Sequence, residues 1–385
     1  MRIVESAAEL EQLATELERA PYLALDTEFM RDQTYWPKLC LMQVAAPAGP
    51  AAIIDPLAHG MDLSPIYRLI GKPDLVKVLH AARQDIEIFW HQGDVIPDPL
   101  FDTQIAAMVC GFGDSASYET LVRKLAKAEL DKSARFTDWS RRPLSPRQLE
   151  YALADVTYLC TVYEKLSREL ERTGRASWVR EEIAALKDED LYELDPANAW
   201  KRLKPRTTNK RFLAVLAAIA AWREVEAQTR DVPRQRIIRD EALLEIAAHP
   251  PDSAEALERI RAVPKGFAAS RGGKALLEAI TRGREALPPT PLDRDRPLRK
   301  QPSPSAVDLL KALLRLRAED AKVAPRLIAS SDEIERIAAH EDEGLHALQG
   351  WRAEVFGNDA IALREGKLAL ALENGDAVVV ELEDE

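Results

Sequence analysis

The sequence predicts an α/β chain that becomes all-α: a mixed-sheet domain over residues 1–190, then two small helical modules over 208–287 and 303–385. Three observations predict it. Apolar runs at Pro21–Phe29, Lys38–Ala46 and Ala51–Leu57 follow one another with short connections, which implies an antiparallel meander. Strand and helix signals then alternate, as they do around a mixed sheet. Beyond the first domain the helical part repeats itself, with matching IAAH runs that begin at Ile246 and Ile337. A length of 385 residues already exceeds one ordinary core.

In chain order, Ser6–Arg19 reads as a helix with Leu10, Leu13 and Leu17 on one stripe. The three strands follow, with a Pro/Gly turn at Pro47–Pro50 between the last two. A helix near Asp62–Ile70, a strand at Leu75–His80 and a helix at Ala82–His91 come next, then helical segments at Thr103–Cys110 and Tyr118–Lys127. Leu130–Pro143 has no clean period and reads as a loop over a substrate path. Ser145, Pro146 and Gln148 open a long helix with a capping box. A further helix near Ala176–Lys187 closes the first domain. Leu287–Pro304 is Pro-rich and reads as an interdomain linker. In each helical module the order is helix, Pro-containing loop, short apolar strand-like stretch, helix. Alternation around Asn374-Gly375 predicts a terminal β-hairpin.

Asp26 and Glu28 lie two apart on an apolar strand and so share a face. Two acids side by side there repel each other and lose hydration. Either a hard cation such as Mg²⁺ or Mn²⁺ neutralises them, or the pair marks the strand's exit into a solvated loop. Tyr151 and Asp155 share a face of the capped helix, which suits a site or a tyrosine packed on the sheet above a surface acid. Asp85 opens a helix, where an acid also serves the helix dipole. His80 reads as a strand-end histidine satisfied by a neighbour.

No stretch of about 18 uncharged apolar residues occurs, so no transmembrane helix is expected, and the start lacks a signal-peptide apolar core. Cys40, Cys110 and Cys160 are far apart in apolar runs, as befits free thiols in a reducing, cytoplasmic setting. The net charge of −11 argues against a nucleic-acid partner until its local distribution is considered.

Asp-x-Glu on a strand, an Asp after a later strand and Tyr-x-x-x-Asp on a late helix together resemble the three motifs of the DEDD superfamily of 3′→5′ exonucleases. The likeness is to its tyrosine-bearing branch and, within that, to the ribonuclease D family. It is carried by DTEFMRDQTYWPKLCLMQVA, HAARQDIEIFW, FDTQIAAMVCG, LDKSARFTDWSRRPLSPRQLEYALADVTYL and AAWREVEAQTRDVPRQRIIRDEALLEIA. The histidine-bearing branch would place His where Glu150 stands. The resemblance implies a ribonuclease H-like mixed-sheet exonuclease domain. It also implies catalytic residues Asp26, Glu28, Asp85, Tyr151 and Asp155, and two divalent ions, Mg²⁺ or Mn²⁺, held by the four carboxylates. In such two-metal hydrolysis one ion activates water and the other stabilises the leaving 3′-oxygen. Asp26 would bridge both ions, Glu28 and Asp155 would bind the water-side ion, and Asp85 would serve the second. Tyr151, a poor base with an ordinary pKa about 10, would orient the attacking water.

The two helical modules look like paired helicase-and-RNase-D C-terminal (HRDC) domains. The implied activity is trimming of 3′ ends of tRNA precursors and other structured small RNAs with 3′ extensions, releasing nucleoside 5′-monophosphates, with no membrane and no obligate protein partner. Basic residues that could meet RNA are Lys132, Arg135, Arg141 and Arg142 in the loop. Lys201, Arg202, Lys204, Arg206, Lys210 and Arg211 belong to a segment that could equally be a solvated linker. A DNA exonuclease uses the same carboxylates, and a non-catalytic RNA-binding protein would keep the modules. The presence of all four acids and the tyrosine disfavours the latter.

Overall fold

A computed structural model describes residues 1–47, 49–135, 137–290 and 301–382, with the side chain of Lys132 excepted. Strand β1 (Arg2–Val4) leads into α1 (Ala7–Leu17), where Ser6 caps the first turn and Leu10, Leu13 and Leu17 are fully buried. β2 (Tyr22–Met30), β3 (Lys38–Ala45) and β4 (Ala51–Ile54) form the expected antiparallel meander. Then come α2 (Ser64–Ile70), β5 (Val76–Leu79), α3 (Arg83–Gly93), β6 (Leu100–Asp102), α4 (Thr103–Val109) and α5 (Tyr118–Leu121). The six strands order as β1-β4-β3-β2-β5-β6, so β2 is central, antiparallel to β3 and parallel to β5. β1 and β6, three residues each, are too short to show a period and went unforeseen. The helix expected through Lys127 keeps α form only to Leu121 and then widens into a π turn over Val122–Ala126.

α6 (Pro146–Thr173) has its capping box in full: Ser145 accepts from the Gln148 N–H, and the Gln148 side chain accepts from the Ser145 N–H. It packs along β2, β3 and β4 and is followed by α7 (Ala176–Ala184). The segment 195–211 is no free linker. Its turn of 3₁₀ helix, Pro196–Leu203, buries Trp200 against the next helix.

The first helical module holds α8 (Lys210–Arg230), α9 (Arg234–Ile237), α10 (Asp240–Ala248), α11 (Ala254–Glu258) and α12 (Arg271–Glu285). The second holds α13 (Pro304–Ala321), α14 (Pro325–Ile328), α15 (Ser331–Ala338), α16 (Gly350–Arg352) and α17 (Asn358–Arg364). The repeat is real: α8, α9, α10 correspond in order to α13, α14, α15. The strand-like stretches are, however, the single helical turns α9 and α14; each is too short to show a helical period and ends on an extended residue, Ile238 or Ala329. β7 (Leu368–Glu373) and β8 (Asp376–Glu381) make the hairpin, with Asn374 and Gly375 both at positive φ. Residues 291–300, within the expected linker, lie outside the described residues.

Each module docks on the sheet domain by different means. The second stacks Trp351 on Trp178 at 4.4 Å and sets Arg352 against Glu181 and Glu182. The Ala324 N–H donates to the Met108 carbonyl at 3.0 Å. A Cβ on Gly111 would stand 2.7 Å from the Lys322 carbonyl oxygen, so that close approach requires glycine. The first module instead takes Tyr35, from the β2–β3 loop, into its own core.

Candidate active site

β2 places Asp26 and Glu28 on one face, and α6 crosses that face with Asp155. The carboxylate oxygens of Asp26, Glu28 and Asp155 all come within 4.8 Å of one another. The β2–β3 register shifts immediately after the second acid, between Glu28 and Phe29, where Cys40 is the extra, unpaired residue on β3. Asp85, in the first turn of α3, stands a step behind: it accepts a hydrogen bond from the Thr27 hydroxyl. Tyr151, one turn before Asp155, lines the same cleft and helps to hold the Asp155 carboxyl down. The four acids and the tyrosine singled out in the sequence therefore share one neighbourhood. They lie in and beneath a cleft of about 660 Å³, which Asp26, Glu28, Tyr151 and Asp155 line.

The described residues compensate this charge only in part. Burial, then repulsion from Asp155, Asp85 and Glu28, raises Asp26 well above the carboxylate range. Burial and the charges of Asp155 and Asp85 push Glu28 up to about 8, against an opposing pull from Arg135. Asp155 rises to about 7 through burial, although Tyr151 and Arg135 hold it down. Asp85 rises to about 7, again through burial, against the Thr27 hydrogen bond. Acids held this way fit a divalent cation and an oxygen-only donor set.

Other lining residues were not singled out as site candidates. Tyr118 donates to the backbone carbonyls of Asp155 and Ala154 at 2.6 and 3.3 Å, bracing α6 beside its acid. Gln84, Gln104, Ser115, Ser117 and Glu119 also line the cleft. Gln43 sits opposite Asp26 in the β2–β3 register, fully buried, and its amide has no hydrogen-bond partner among the described residues. Polar residues are everywhere in a sequence, so none of these carried a signal. His80 is satisfied as expected, its Nδ1 3.0 Å from the Thr103 hydroxyl, and its ring also lines the cleft.

The basic residues divide. Arg135 lines the cleft itself. Arg142 is tied into the protein: Asp55, Cys40 O, Trp139 O and Arg141 O accept from all three of its guanidinium nitrogens. A guanidinium has five N–H donors, so Arg142 has none to spare for a phosphate. Arg202 pairs with the buried Glu224, and Arg141 with Asp138. Lys204, Arg206, Lys210 and Arg211 line a separate groove of about 1170 Å³ on the first module, with Lys201 exposed nearby. None of the four lines the acid cleft.

A central strand and a crossing helix that converge carboxylates in this order define a 3′→5′ exonuclease of the tyrosine-bearing DEDD kind. The 3'-5' exonuclease family model matches residues 1–171, and the HRDC domain model matches 212–280. Ribonuclease D of Granulibacter bethesdensis is 50% identical, over 96% of this chain and 94% of its own length. That of Nitrobacter hamburgensis is 46% identical, over 99% and 100%. Among solved structures, Escherichia coli RNase D, described as an exoribonuclease involved in structured RNA processing, superposes with a TM-score of 0.80. It is 30% identical, with 95% of this chain and 98% of that one covered. The catalytic core of RRP6 from Trypanosoma brucei follows at 0.55 and 26% identity, with 73% and 79% covered. The chain belongs to the ribonuclease D family and is a metal-dependent 3′→5′ exoribonuclease. Among the described residues no helix is long and apolar enough to cross a membrane.

Proposed function

We propose that the chain trims the 3′ ends of tRNA precursors and other structured small RNAs with 3′ extensions, one nucleoside 5′-monophosphate at a time. The convergence of Asp26, Glu28 and Asp155 in a cleft that Tyr151 also lines carries this reading. Two divalent ions, Mg²⁺ or Mn²⁺, are held by these acids and by Asp85, and when bound they supply an acidified water and charge neutralisation at the phosphate. Tyr151 orients the attacking water rather than taking its proton, because burial raises its pKa further. Arg135 meets the terminal phosphates in the cleft. Lys201, Lys204, Arg206, Lys210 and Arg211 hold the body of the RNA, which reconciles a net charge of −11 with a polyanionic substrate. Arg141 is a further contact from the loop, and the side chain of Lys132 lies outside the described residues; the five spent donors of Arg142 give it a holding role on Asp55 instead.

The deciding experiment compares a labelled tRNA precursor with a 3′ extension and a single-stranded DNA, each with Mg²⁺, Mn²⁺ or EDTA. Stepwise release of ribonucleoside 5′-monophosphates, absent in EDTA, is expected. Equal digestion of the DNA would favour a DNA exonuclease, and binding without cleavage would favour a binding protein.

A further inference from the structure

The β2–β3 loop is held from two sides. Toward the sheet domain, Arg31 makes a paired contact with Glu87 on α3, at 2.8 and 2.5 Å, two residues beyond Asp85. Trp36 sets its ring edgewise on His91 of the same helix at 4.3 Å. Toward the first helical module, the N–H groups of Tyr35 and Trp36 both donate to Asp231 Oδ1 at 3.0 Å. Asp231 is the left-handed residue that ends α8. The Tyr35 hydroxyl donates to Glu224 and accepts from Arg234 at 2.8 Å and Gln228 at 3.2 Å. Arg234 lies over the Tyr35 ring at 4.4 Å and makes two bonds of 2.6 Å to Glu224, which Arg202 also contacts at 2.8 Å. Arg236 adds a bond to Gln33. Tyr35 is 3% exposed and Glu224 1%.

This loop leaves β2 two residues after Glu28, where the register slips, and returns into β3, whose Leu39 and Lys38 pair with Phe29 and Met30. Its anchorage therefore bears on the strand end that carries Asp26 and Glu28, and through Arg31 on the helix that carries Asp85. Metal cages tolerate displacements of only about 0.5 Å, so such outer support is felt at the ions. We infer that Tyr35 is a positioning residue: through it the first helical module sets the geometry of the metal-binding carboxylates, in addition to any RNA it holds. The inference rests on the metal-site reading above.

The test uses the full chain with Tyr35→Phe, which removes only the hydroxyl, and Glu224→Gln, which discharges its acceptor. Turnover of an RNA trinucleotide is measured as kcat and KM, and Mn²⁺ binding is measured separately by the electron paramagnetic resonance of free Mn²⁺. Tyr35→Phe is expected to lower kcat and weaken Mn²⁺ binding by about threefold to tenfold, with KM unchanged. Glu224→Gln should do the same or more. Unchanged kcat and Mn²⁺ affinity in Tyr35→Phe would overturn the inference, as would a rise in KM alone. If the wild type failed to cut RNA at all, the functional reading would fall, and the Mn²⁺ arm would still decide this one.

Discussion

A cluster of buried and half-buried carboxylates and a single buried one, Glu224, lie near the β2–β3 loop, and the protein balances them in opposite ways. In the cleft, Asp26, Glu28, Asp85 and Asp155 repel one another, and burial drives all four upward. At the module contact, burial also works to raise Glu224, but hydrogen bonds from Arg234 and Tyr35 and the charges of Arg234 and Arg202 outweigh it and hold the acid low. On the function proposed above, the first site is completed by cations from solution; the other is completed by the chain itself. The difference separates a working centre from a structural one without reference to sequence relatives, and it predicts opposite responses to the same kind of substitution.

The largest effect is expected from Asp26→Asn and Asp155→Asn. Each removes a negative ligand from the cage, so turnover should vanish while the fold persists. Without metal, Asp155→Asn should even raise the melting temperature, because it relieves repulsion. Near-native turnover in either variant would remove the metal-cage assignment. Tyr151→Phe should cost less than the carboxylate changes, roughly 10²–10⁴ in rate, since it deletes one positioned hydroxyl. Substrate affinity should stay the same, and an unaffected rate would reduce Tyr151 to packing against Trp139.

Glu224→Gln answers with the opposite sign. It strands two arginines that were arranged around a charge, and breaking a buried pair from one side typically costs about 3–5 kcal/mol. The lower end is expected here, since the Arg202 and Arg234 side chains remain 46% and 27% exposed. Urea unfolding of the full chain would measure it. A variant as stable as the wild type would mean the network adds nothing to the fold.

Much of the candidate site was legible in the sequence because its signals are local. Asp26 and Glu28 obey the period of a strand, Tyr151 and Asp155 the period of a helix, and Ser145 with Gln148 announces where that helix begins. The module repeat was legible for the same reason. What escaped was long-range pairing. Arg142 looked like a phosphate contact until Asp55, 87 residues away, occupied it. Tyr35 and Glu224 are 189 residues apart, and nothing in either segment names the other. The segment 195–211 read as basic and open because its largest anchor, Trp200, is a single aromatic among charges.

The smallest effect concerns pH. Glu28 is raised to about 8, and Asp155 and Asp85 to about 7, all above their ordinary carboxylate values. Between about pH 4 and pH 8 the metal-free folded chain therefore binds more protons at these groups than the unfolded chain does. Stability from these acids is present at low pH and is lost as pH rises through the folded values. His80 and His91, lowered by burial, pull the other way near neutrality, so the total slope mixes both signs. Subtraction separates them: Asp155→Asn keeps both histidines and removes one repelling acid. Metal-free melting temperatures of wild type and variant should differ little at pH 5 and diverge by pH 8, with the wild type falling behind. Added Mg²⁺ or Mn²⁺ should narrow the gap at pH 8, since cations then replace the protons. A wild-type chain that gained on the variant as pH rose would mean that the cleft carries balanced charge, as the Glu224 site does.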